Sequence, residues 1–319
     1  IDLAWSLASE EAVGTGTLGT ARAEIESSTR DPVEWIRDWG CTLFASRGRY
    51  VIRGPDVPPR VGPYEILCRL GRGGMGEVLL GFRPGLGKDL AIKCIRWQAG
   101  HESRAIGRFQ REVQILARLH HAHIVSLVDV GSDGDEAYLA MDFVPGRTLS
   151  RRIQLGLTAS EPAKILARVA RALDYAHRSG ITHRDVKALN VLLDAEGQPF
   201  LMDFGLASLA DETFRLTGTR EMFGTPQYMP PEALRGGAKD GVRWDVYSLW
   251  VLLYECLTGR LPYEGGSIGA LLRQVLSTEP VPPRQIDPKI APELESLCLR
   301  GLSKDPGARP ETAGDFAQA

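Results

Sequence analysis

The chain has 319 residues and a formal net charge of −2, and 43% of its residues are hydrophobic while 24% are charged. This length suffices for one large domain or two ordinary ones with a sizeable core. No sustained basic run exists, so the sequence gives no reason to expect nucleic-acid binding. It also has no apolar run of about 18 residues or more, so it predicts no membrane-spanning helix.

Five cysteines are scattered along the chain without a C-x-x-C pair. An odd, dispersed set is typical of reduced thiols, so we expect a cytoplasmic compartment. The chain begins at Ile1 without a methionine and ends without a helix stop signal. Both ends are therefore expected to be cut from a longer protein.

Residues 1–60 differ from the rest. The stretch 8–30 is small, polar and aperiodic, which predicts weak order. A short helix is predicted between an N-cap at Asp31 and a stop at Gly40, and 41–54 is predicted to form a hairpin. Prolines then cluster before Tyr64 and predict a stiff linker. We interpret residues 1–60 as an N-terminal extension of unknown role, either regulatory, an interaction module or the remnant of an upstream domain.

From Tyr64 the pattern changes to strand-like segments with one helix, and after Gly146 it becomes mostly helical apart from residues 181–205. Strands first and helices afterwards predict an α+β fold with two lobes. We assign residues 64–144 to the N-lobe and residues 145–319 to the C-lobe.

The segment LGRGGMGEV contains the spacing G-x-G-x-x-G at Gly71, Gly73 and Gly76. This spacing alone is a weak signal, because dinucleotide-binding folds use it where a strand leads into a helix. Here the strand-like segment EVLLGF comes next, so the glycines are predicted to join two strands. Such a loop can lay backbone N–H groups over phosphates, and an ordinary glycine-rich hairpin is the alternative.

Lys93 lies in the middle of the strand-like segment LAIKCI, among residues expected to be buried. An unpaired buried ammonium is costly, so this lysine needs a partner or a ligand. Glu112 is the candidate partner, because it shares the apolar face of a predicted helix with Phe109, Val113 and Leu116.

With these features the sequence resembles the protein kinases, and among them the bacterial Ser/Thr kinases with a eukaryotic-like catalytic domain. The match covers residues 64–319 and follows the order of the kinase motifs. These motifs are the glycine-rich loop, LAIK with Lys93, Glu112, HRDVKALN at 183–190, DFG at 203–205 and PPE at 230–232. The resemblance implies a bilobal kinase fold, with a strand-rich N-lobe that has one long helix and a larger helical C-lobe. It also implies a non-specific serine/threonine protein kinase.

The resemblance implies a role for each catalytic residue. Asp185 would position the substrate hydroxyl and accept its proton, and Lys187 would stabilise the transferred phosphoryl group. The hydroxyl of Thr225 would bridge these two side chains. Lys93, held by Glu112, would bind the α- and β-phosphates of ATP.

The implied cofactors are ATP and magnesium, with manganese as an alternative ion. Asn190 and Asp203 would hold the metal, since hard cations prefer oxygen ligands. Adenine would bind backbone groups between Asp142 and Val144. The full set of implied ATP-contacting residues is Leu70, Gly71, Gly73, Gly74, Gly76, Val78, Ala91, Lys93, Met141, Asp142, Val144 and Leu192.

Supporting contacts are implied as well. Glu232 and Arg309 would form an ion pair behind the activation loop, residues 206–228. Asp245 would support the catalytic loop, residues 183–190, from a long core helix. An apolar stack that links the two lobes is expected from Leu116, Leu127, His183 and Phe204.

Arg184, next to the catalytic aspartate, implies control by phosphorylation, because a phosphothreonine of the activation loop pairs with this arginine in such kinases. Thr217 and Thr219 are the expected autophosphorylation sites, and phosphorylation in trans requires self-association. The implied partners are protein substrates. Relatives of this class commonly continue into a membrane anchor, so an anchor beyond Ala319 is compatible with the resemblance.

The cluster His120, His121 and His123 raises a metal site as an alternative interpretation of this segment. A turn between helix and strand is favoured, because no carboxylate or cysteine lies nearby at ligand spacing. A pseudokinase, which binds nucleotide without turnover, is the alternative function. An active enzyme is favoured, because Lys93 and Asp185 are both present, as is the aspartate of DFG.

Three positions depart from the family pattern. Ala188 replaces a proline of the catalytic loop, and Pro230 replaces the small residue of the Ala-Pro-Glu motif. Trp250 stands where most relatives have glycine on the buried core helix, and overpacking typically costs about 1–3 kcal/mol. Either a neighbouring residue is smaller or the helix is shifted.

Overall fold

The computed structural model describes residues 42–46, 49–53, 56–73, 76–96, 113, 116–133, 136–204, 226–236 and 240–319. The chain forms two compact units. The first runs to Arg118 and includes Val125–Arg147, and the second consists of Leu119–Ile124 and Thr148–Ala319. The first unit is built on strands and the second mostly on helices, which confirms the predicted α+β class. The predicted helix at 31–40 lies outside the described residues.

The first unit contains a two-stranded hairpin and a six-stranded sheet, both antiparallel. The hairpin consists of β1 (Thr42–Ser46) and β2 (Arg49–Arg53), which confirms the hairpin predicted at 41–54. The strands of the sheet are β3 (Arg60–Val61), β4 (Tyr64–Gly73), β5 (Gly76–Arg83), β6 (Lys88–Arg96), β7 (Leu127–Asp133) and β8 (Glu136–Asp142). Their order across the sheet is β3-β4-β5-β6-β8-β7.

The start of β7 differs from the prediction. One of the strand-like segments predicted after Tyr64 is HIVSLVDV, which begins at His123, four residues before β7 begins at Leu127. The difference arises because Ile124 forms a bridge with Leu201 in the second unit instead.

One face of the six-stranded sheet carries the hydrophobic core of the first unit. Leu79, Ile92 and Ala140 lie side by side across β5, β6 and β8, and all are buried. Val57 and Val61 belong to the same core cluster. The residues just before Tyr64 therefore pack as part of the sheet.

The second unit is organised around one buried helix. Its helices are α1 (Leu149–Gln154), α2 (Glu161–Arg178), α3 (Pro231–Leu234), α4 (Gly241–Thr258), α5 (Ile268–Ser277), α6 (Pro283–Ile286), α7 (Pro292–Gly301) and α8 (Ala313–Gln318). Every residue of α4 from Asp245 to Tyr254 is buried, as expected for a helix inside a core. Asp240 caps its first turn, and Gly259 ends it in the left-handed conformation with φ +72°.

A short hairpin lies beside the helices. It consists of the strands β10 (Val191–Asp194) and β11 (Pro199–Leu201), which pair antiparallel with Val191 opposite Leu201. A further short strand, β9 (Gly146–Thr148), comes just before α1. The hairpin fixes the chain segments before β10 and after β11. Among the described residues, no helix is long and apolar enough to cross a membrane.

Candidate active site

The loop between α2 and β10 brings together three predicted site residues. The Oδ2 atom of Asp185 lies 2.7 Å from Nζ of Lys187 and accepts a hydrogen bond from Nδ2 of Asn190 at 3.0 Å. The Asn190 amide also donates to the main-chain carbonyl of Asp185 at 2.8 Å. The side chains of Asp185 and Lys187 keep 17% and 19% of their surface exposed, so both are partly accessible to solvent.

Asp203 lies directly after the β10–β11 hairpin. The N–H of the preceding Met202 donates to the carbonyl of Asn190 at 3.0 Å, which joins the segments that carry the two predicted metal ligands. Asp203 has φ +64°, in the left-handed region that non-glycine residues rarely adopt. Such conformations concentrate at functional sites, where the surrounding structure holds them.

The donor set of Asn190 and Asp203 fits a hard divalent cation. Nδ2 of Asn190 donates to Asp185, and the amide oxygen lies on the other side of the same amide group. Asp203 supplies a carboxylate from the neighbouring segment. Magnesium is commonly held by one or two such oxygen ligands together with substrate phosphates.

Asp245 supports the catalytic loop from α4, as predicted. Its carboxylate accepts the backbone N–H of His183 at 2.7 Å and that of Arg184 at 2.6 Å. Arg184 has φ +64°, so the carboxylate stabilises a strained backbone next to Asp185. A third partner was not apparent from the sequence: Nε2 of His177 on α2 lies 2.8 Å from the same carboxylate.

His183 connects the catalytic loop to the DFG segment. Nε2 of this buried ring lies 2.9 Å from the carbonyl of Met202, and Nδ1 accepts the N–H of Asp185 at 3.2 Å. The two bonds correspond to the neutral tautomer with its proton on Nε2. The His183 ring also packs on Phe204 at 4.6 Å between centroids, which is the part of the predicted stack within the second unit.

The first unit places four predicted ATP-contacting residues on one face of its sheet. Val78 lies opposite Lys93, and Ala91 lies opposite Met141. Side chains two residues apart share a face, so this is the face opposite the core residue Ile92. Ala91 and Met141 are buried, while Val78 and Lys93 are partly exposed.

The glycine-rich segment forms the end of the β4–β5 hairpin. Gly71 pairs with Val78, and Gly73 pairs with Gly76. Gly76 has φ +135°, and a Cβ atom there would lie 1.9 Å from the carbonyl oxygen of Cys94. Only glycine therefore fits this position. The loop joins two strands, as predicted from the sequence.

The remaining predicted nucleotide contacts lie in both units. Leu70 and Val144 are buried in the first unit, and Leu192 is buried in β10 of the second. The N–H of Asp142 donates to the carbonyl of Ser126 at 2.9 Å.

Several predictions fall on residues outside those that the structure describes. These residues are Gly74, Phe109, Glu112, Thr217, Thr219 and Thr225. Val113 and Leu116 of the same predicted helix are described, and both are helical, with Val113 fully buried. The pairing of Lys93 with Glu112 remains a prediction.

The structure accounts for Trp250 by a smaller neighbour. Its buried indole packs over Gly301 of α7, where a Cβ atom would lie 2.0 Å from Cδ2 of the ring. The ring also contacts Phe316 of α8 at 4.3 Å between centroids. Gly301 thus provides the room that the indole needs.

The other two departures are accommodated locally. Pro230 is the N-cap of α3 with φ −73°, which suits the proline ring, and its carbonyl accepts the N–H of Ala233 at 3.0 Å. Ala188 is buried in a 3₁₀ turn, Ala188–Asn190, that Lys187 closes by accepting the N–H of Asn190 at 3.0 Å.

The predicted ion pair between Glu232 and Arg309 is confirmed and is bidentate. Nη1 and Nη2 of Arg309 lie 2.7 Å and 3.0 Å from the two carboxylate oxygens. The guanidinium also donates to the carbonyl of Ser303 at 2.7 Å and lies over the ring of Tyr247. This pair anchors α3 to the segment after α7.

The contacts that anchor Tyr228 were not predicted from the sequence. Its hydroxyl donates to Glu255, and its carbonyl accepts a hydrogen bond from the Ser248 hydroxyl at 2.8 Å. Burial and then the Glu255 charge raise the pKa of Tyr228. Ser248 and Glu255 are seven residues apart and so share a face of α4. This spacing was the feature of the sequence that indicated a shared polar face for contacts of this kind.

The histidine cluster is engaged in local packing. Nδ1 of His121 accepts the N–H of His123 at 3.1 Å, and the His121 ring stacks on Tyr175 at 5.3 Å. Nδ1 of His123 lies 2.9 Å from the carbonyl of Pro199. Burial and then the neighbouring His123 lower the pKa of His121.

Comparison with known proteins agrees with this geometry. The family model described as protein kinase domain matches residues 64–318, so the chain belongs to the protein kinase family. It is 35% identical over 257 residues to serine/threonine-protein kinase PrkC of Bacillus subtilis, covering 80% of this chain and 39% of the relative. It is 36% identical over 267 residues to serine/threonine-protein kinase PknB of Mycobacterium leprae, covering 82% of this chain and 43% of the relative.

A solved structure shows the same fold. The kinase domain of Mycobacterium tuberculosis PknI matches with a TM-score of 0.63 and 30% identity, over 81% of this chain and 94% of that one. The predicted resemblance to bacterial serine/threonine kinases is thus confirmed. The chain spans less than half the length of PrkC and PknB.

Proposed function

We propose that the chain is a serine/threonine protein kinase, which transfers the γ-phosphoryl group of ATP to hydroxyl groups of protein substrates. The observation that carries this proposal is the Asp185 carboxylate, held between Lys187 at 2.7 Å and Asn190 at 3.0 Å. The two contacts fix the orientation of this carboxylate, and its side chain is still 17% exposed. The names of the bacterial relatives support serine and threonine as acceptors.

In the proposed reaction the substrate hydroxyl oxygen forms a bond to the γ-phosphorus, and the bond from that phosphorus to the bridging oxygen of ADP breaks. Asp185 orients the hydroxyl and accepts its proton. Lys187 stabilises the negative charge on the transferred group. A divalent cation held by Asn190 and Asp203, for which we propose magnesium or manganese, supplies further charge neutralisation when bound.

Residues of the first unit are proposed to bind the nucleotide. Lys93 binds the α- and β-phosphates, and Val78, Ala91 and Met141 contact the base from the same sheet face. The N–H of Asp142 already donates to Ser126. We therefore assign the adenine contacts to the Asp142 carbonyl and to the Val144 backbone.

The test is incorporation of radiolabel from γ-labelled ATP with magnesium, comparing the wild type with Asp185→Asn. The substitution keeps the side chain's size and removes the proton acceptor, so we expect incorporation to fall by about 10²-fold or more while ATP binding persists. Equal incorporation in both proteins would disprove the assignment of Asp185. ATP binding without incorporation by the wild type would instead establish a pseudokinase.

We further propose that Thr217 and Thr219 are autophosphorylated in trans by a second copy of the chain and that Arg184 binds the resulting phosphate. Arg184 is exposed beside Asp185, and Nε of its guanidinium donates to the Thr182 hydroxyl at 3.1 Å. Mass spectrometry after incubation with ATP is the test. The proposal fails if both threonines stay unmodified while activity rises.

The proposed compartment is the cytoplasm. Dispersed free thiols, among them Cys94 and Cys298, support this assignment, because thiols stay reduced there.

A further inference from the structure

Arg69 connects three separate parts of the first unit. Its Nε lies 2.7 Å from Oε2 of Glu77, and its Nη1 lies 2.8 Å from Oδ2 of Asp56. A third bond runs from Nη2 to the main-chain carbonyl of Asp56 at 3.1 Å. One guanidinium thus joins β4, β5 and the segment that precedes Tyr64.

Arg69 lies next to an irregularity in the pairing of β4 with β5. Arg69 pairs with Leu79, but Gly71 pairs with Val78, so the register shifts by one residue and Leu70 is an extra residue on β4. A bulge of this kind bends its strand and changes the direction of the residues after it. The residues after this bulge are the glycine-rich end of the hairpin, which begins at Gly71.

Glu77 lies on the far side of this bulge, between Gly76 and Val78. It is opposite Arg72, while Arg69 is opposite Leu79, so the ion pair runs diagonally across the two strands. Both side chains are on the sheet face opposite Lys93. The side chains of Arg69 and Glu77 are 23% and 14% exposed, so the pair is partly shielded from water.

Asp56 supplies the other two contacts of Arg69, and it lies outside the part of the chain that matches the kinase family, residues 64–318. Its neighbour Val57 is buried in the core of the sheet, which fixes the backbone at this point. The hydrogen bond from Arg69 is the main cause that lowers the pKa of the Asp56 carboxyl. β2 ends at Arg53, three residues earlier, so the N-terminal hairpin leads directly into this contact.

We propose that Arg69 is a positioning residue for nucleotide binding, because its ion pair with Glu77 holds the glycine-rich hairpin in place across the bulge at Leu70. Asp56, which belongs to the N-terminal extension, couples that extension to this ion pair through its own contacts with Arg69. The inference rests on the proposed ATP-binding function. It assigns to the segment before Tyr64 an influence on ATP affinity. The ion pairs act from the back of the sheet and touch no phosphate themselves.

The test measures ATP affinity in the full chain with Glu77→Gln and Asp56→Asn, which remove one charge each at nearly constant size. Equilibrium titration with a fluorescent ATP analogue gives Kd, and steady-state assays give KM for ATP and kcat. We expect Kd and KM to rise by about twofold to fivefold in each variant, with a smaller change in kcat. The difference from the wild type should shrink at about 1 M salt, because salt screens partly exposed ion pairs.

A double-mutant cycle tests whether Asp56 acts through Arg69. In an Arg69→Met background, Asp56→Asn should have no further effect on Kd. The control is Glu161→Gln, which weakens the partly exposed pair between Arg152 and Glu161 in the second unit and should leave Kd unchanged. Unchanged Kd in both carboxylate variants, whatever happens to thermal stability, would overturn the inference. If the wild type itself binds no ATP, the proposed function falls and this inference falls with it.

Discussion

Asp245 holds Arg184 in a backbone conformation that side-chain-bearing residues rarely adopt. Oδ1 of the buried carboxylate accepts the N–H of Arg184 at 2.6 Å, and φ of Arg184 is +64°. A residue in this region typically costs about 1–3 kcal/mol and persists only where the surroundings compensate. Because Asp185 is the next residue, the carboxylate on α4 also influences the direction of the side chain that we propose as the proton acceptor.

The first prediction concerns Asp245→Asn. The amide keeps one acceptor oxygen, so it cannot receive both backbone N–H groups that the carboxylate receives. We expect a loss of about 1.5–3 kcal/mol of stability for each charge-assisted bond that breaks. We also expect kcat to fall by about tenfold or more with little change in KM for ATP. Thermal melting and steady-state kinetics provide the measurements.

A matched control is Asp174→Asn, which breaks the i,i+4 pair between Asp174 and the exposed Arg178 on α2. Pairs of this helical spacing contribute about 0.3–0.5 kcal/mol, so this variant should keep kcat and nearly all of the stability. A normal kcat in Asp245→Asn would show that the strained loop is held by other contacts.

The second prediction concerns the packing of Trp250 on Gly301. Replacing a helical glycine by alanine usually stabilises a helix by about 1 kcal/mol. Here the new methyl group would collide with the indole. We therefore expect Gly301→Ala to destabilise the protein by about 1–3 kcal/mol. With Trp250→Leu as the background, the same substitution should become neutral or stabilising.

Thermal melting of the four proteins in this cycle gives the coupling between the two positions. If Gly301→Ala is equally destabilising in both backgrounds, the indole is not the residue that requires glycine.

The sequence was informative wherever a residue type carried its own chemical requirement. The spacing of Gly71, Gly73 and Gly76, with strand-forming residues after it, correctly predicted a loop between strands. The pairing of Glu232 with Arg309 was implied by the family motifs, as was the support from Asp245, and the structure contains both.

The sequence was uninformative wherever the requirement depended on a distant partner. The sequence did not show how the core accommodates the large side chain of Trp250, because the space is provided by Gly301 in another helix. His177 and Arg69 look like ordinary surface residues in the sequence, because their partners are brought near only by the fold. Register shifts such as the bulge at Leu70 depend on pairing across strands, which residue patterns do not specify.

The third prediction concerns the two parallel hydrogen bonds that the guanidinium of Arg309 donates to Glu232. The side chain of Arg309 is 4% exposed and binds both oxygens of Glu232. Lysine keeps the charge but cannot make two parallel hydrogen bonds, so Arg309→Lys should cost about 1–3 kcal/mol. Arg300→Lys, at an exposed position of α7, is the control and should be neutral within about 0.5 kcal/mol. Equal melting temperatures for the two variants would contradict the prediction.

The fourth prediction concerns Lys304 and alkaline pH. Nζ of Lys304 donates to the Tyr263 hydroxyl at 2.7 Å and to the carbonyl of Val275 at 2.7 Å. Burial lowers the pKa of Lys304 from 10.5 to about 8; Arg309 and Arg235 act in the same direction, and Glu279 opposes them. Burial raises the pKa of Tyr263, so the phenol keeps its proton over this range.

The sign of the effect depends on proton binding in the two states. Between pH 8 and pH 10.5 the unfolded chain still holds the lysine proton that the folded protein has released. The free energy of unfolding should therefore rise with pH across this window on account of Lys304, and Lys304 should add no pH dependence well below pH 8.

Lys304→Met removes the titrating group and so provides the measurement. The melting temperature of the wild type minus that of Lys304→Met should increase from about pH 8 towards about pH 10. The same difference measured with Lys289→Met, at an exposed position, should stay constant. A difference for Lys304 that is flat or decreases would show that the folded protein does not release this proton early.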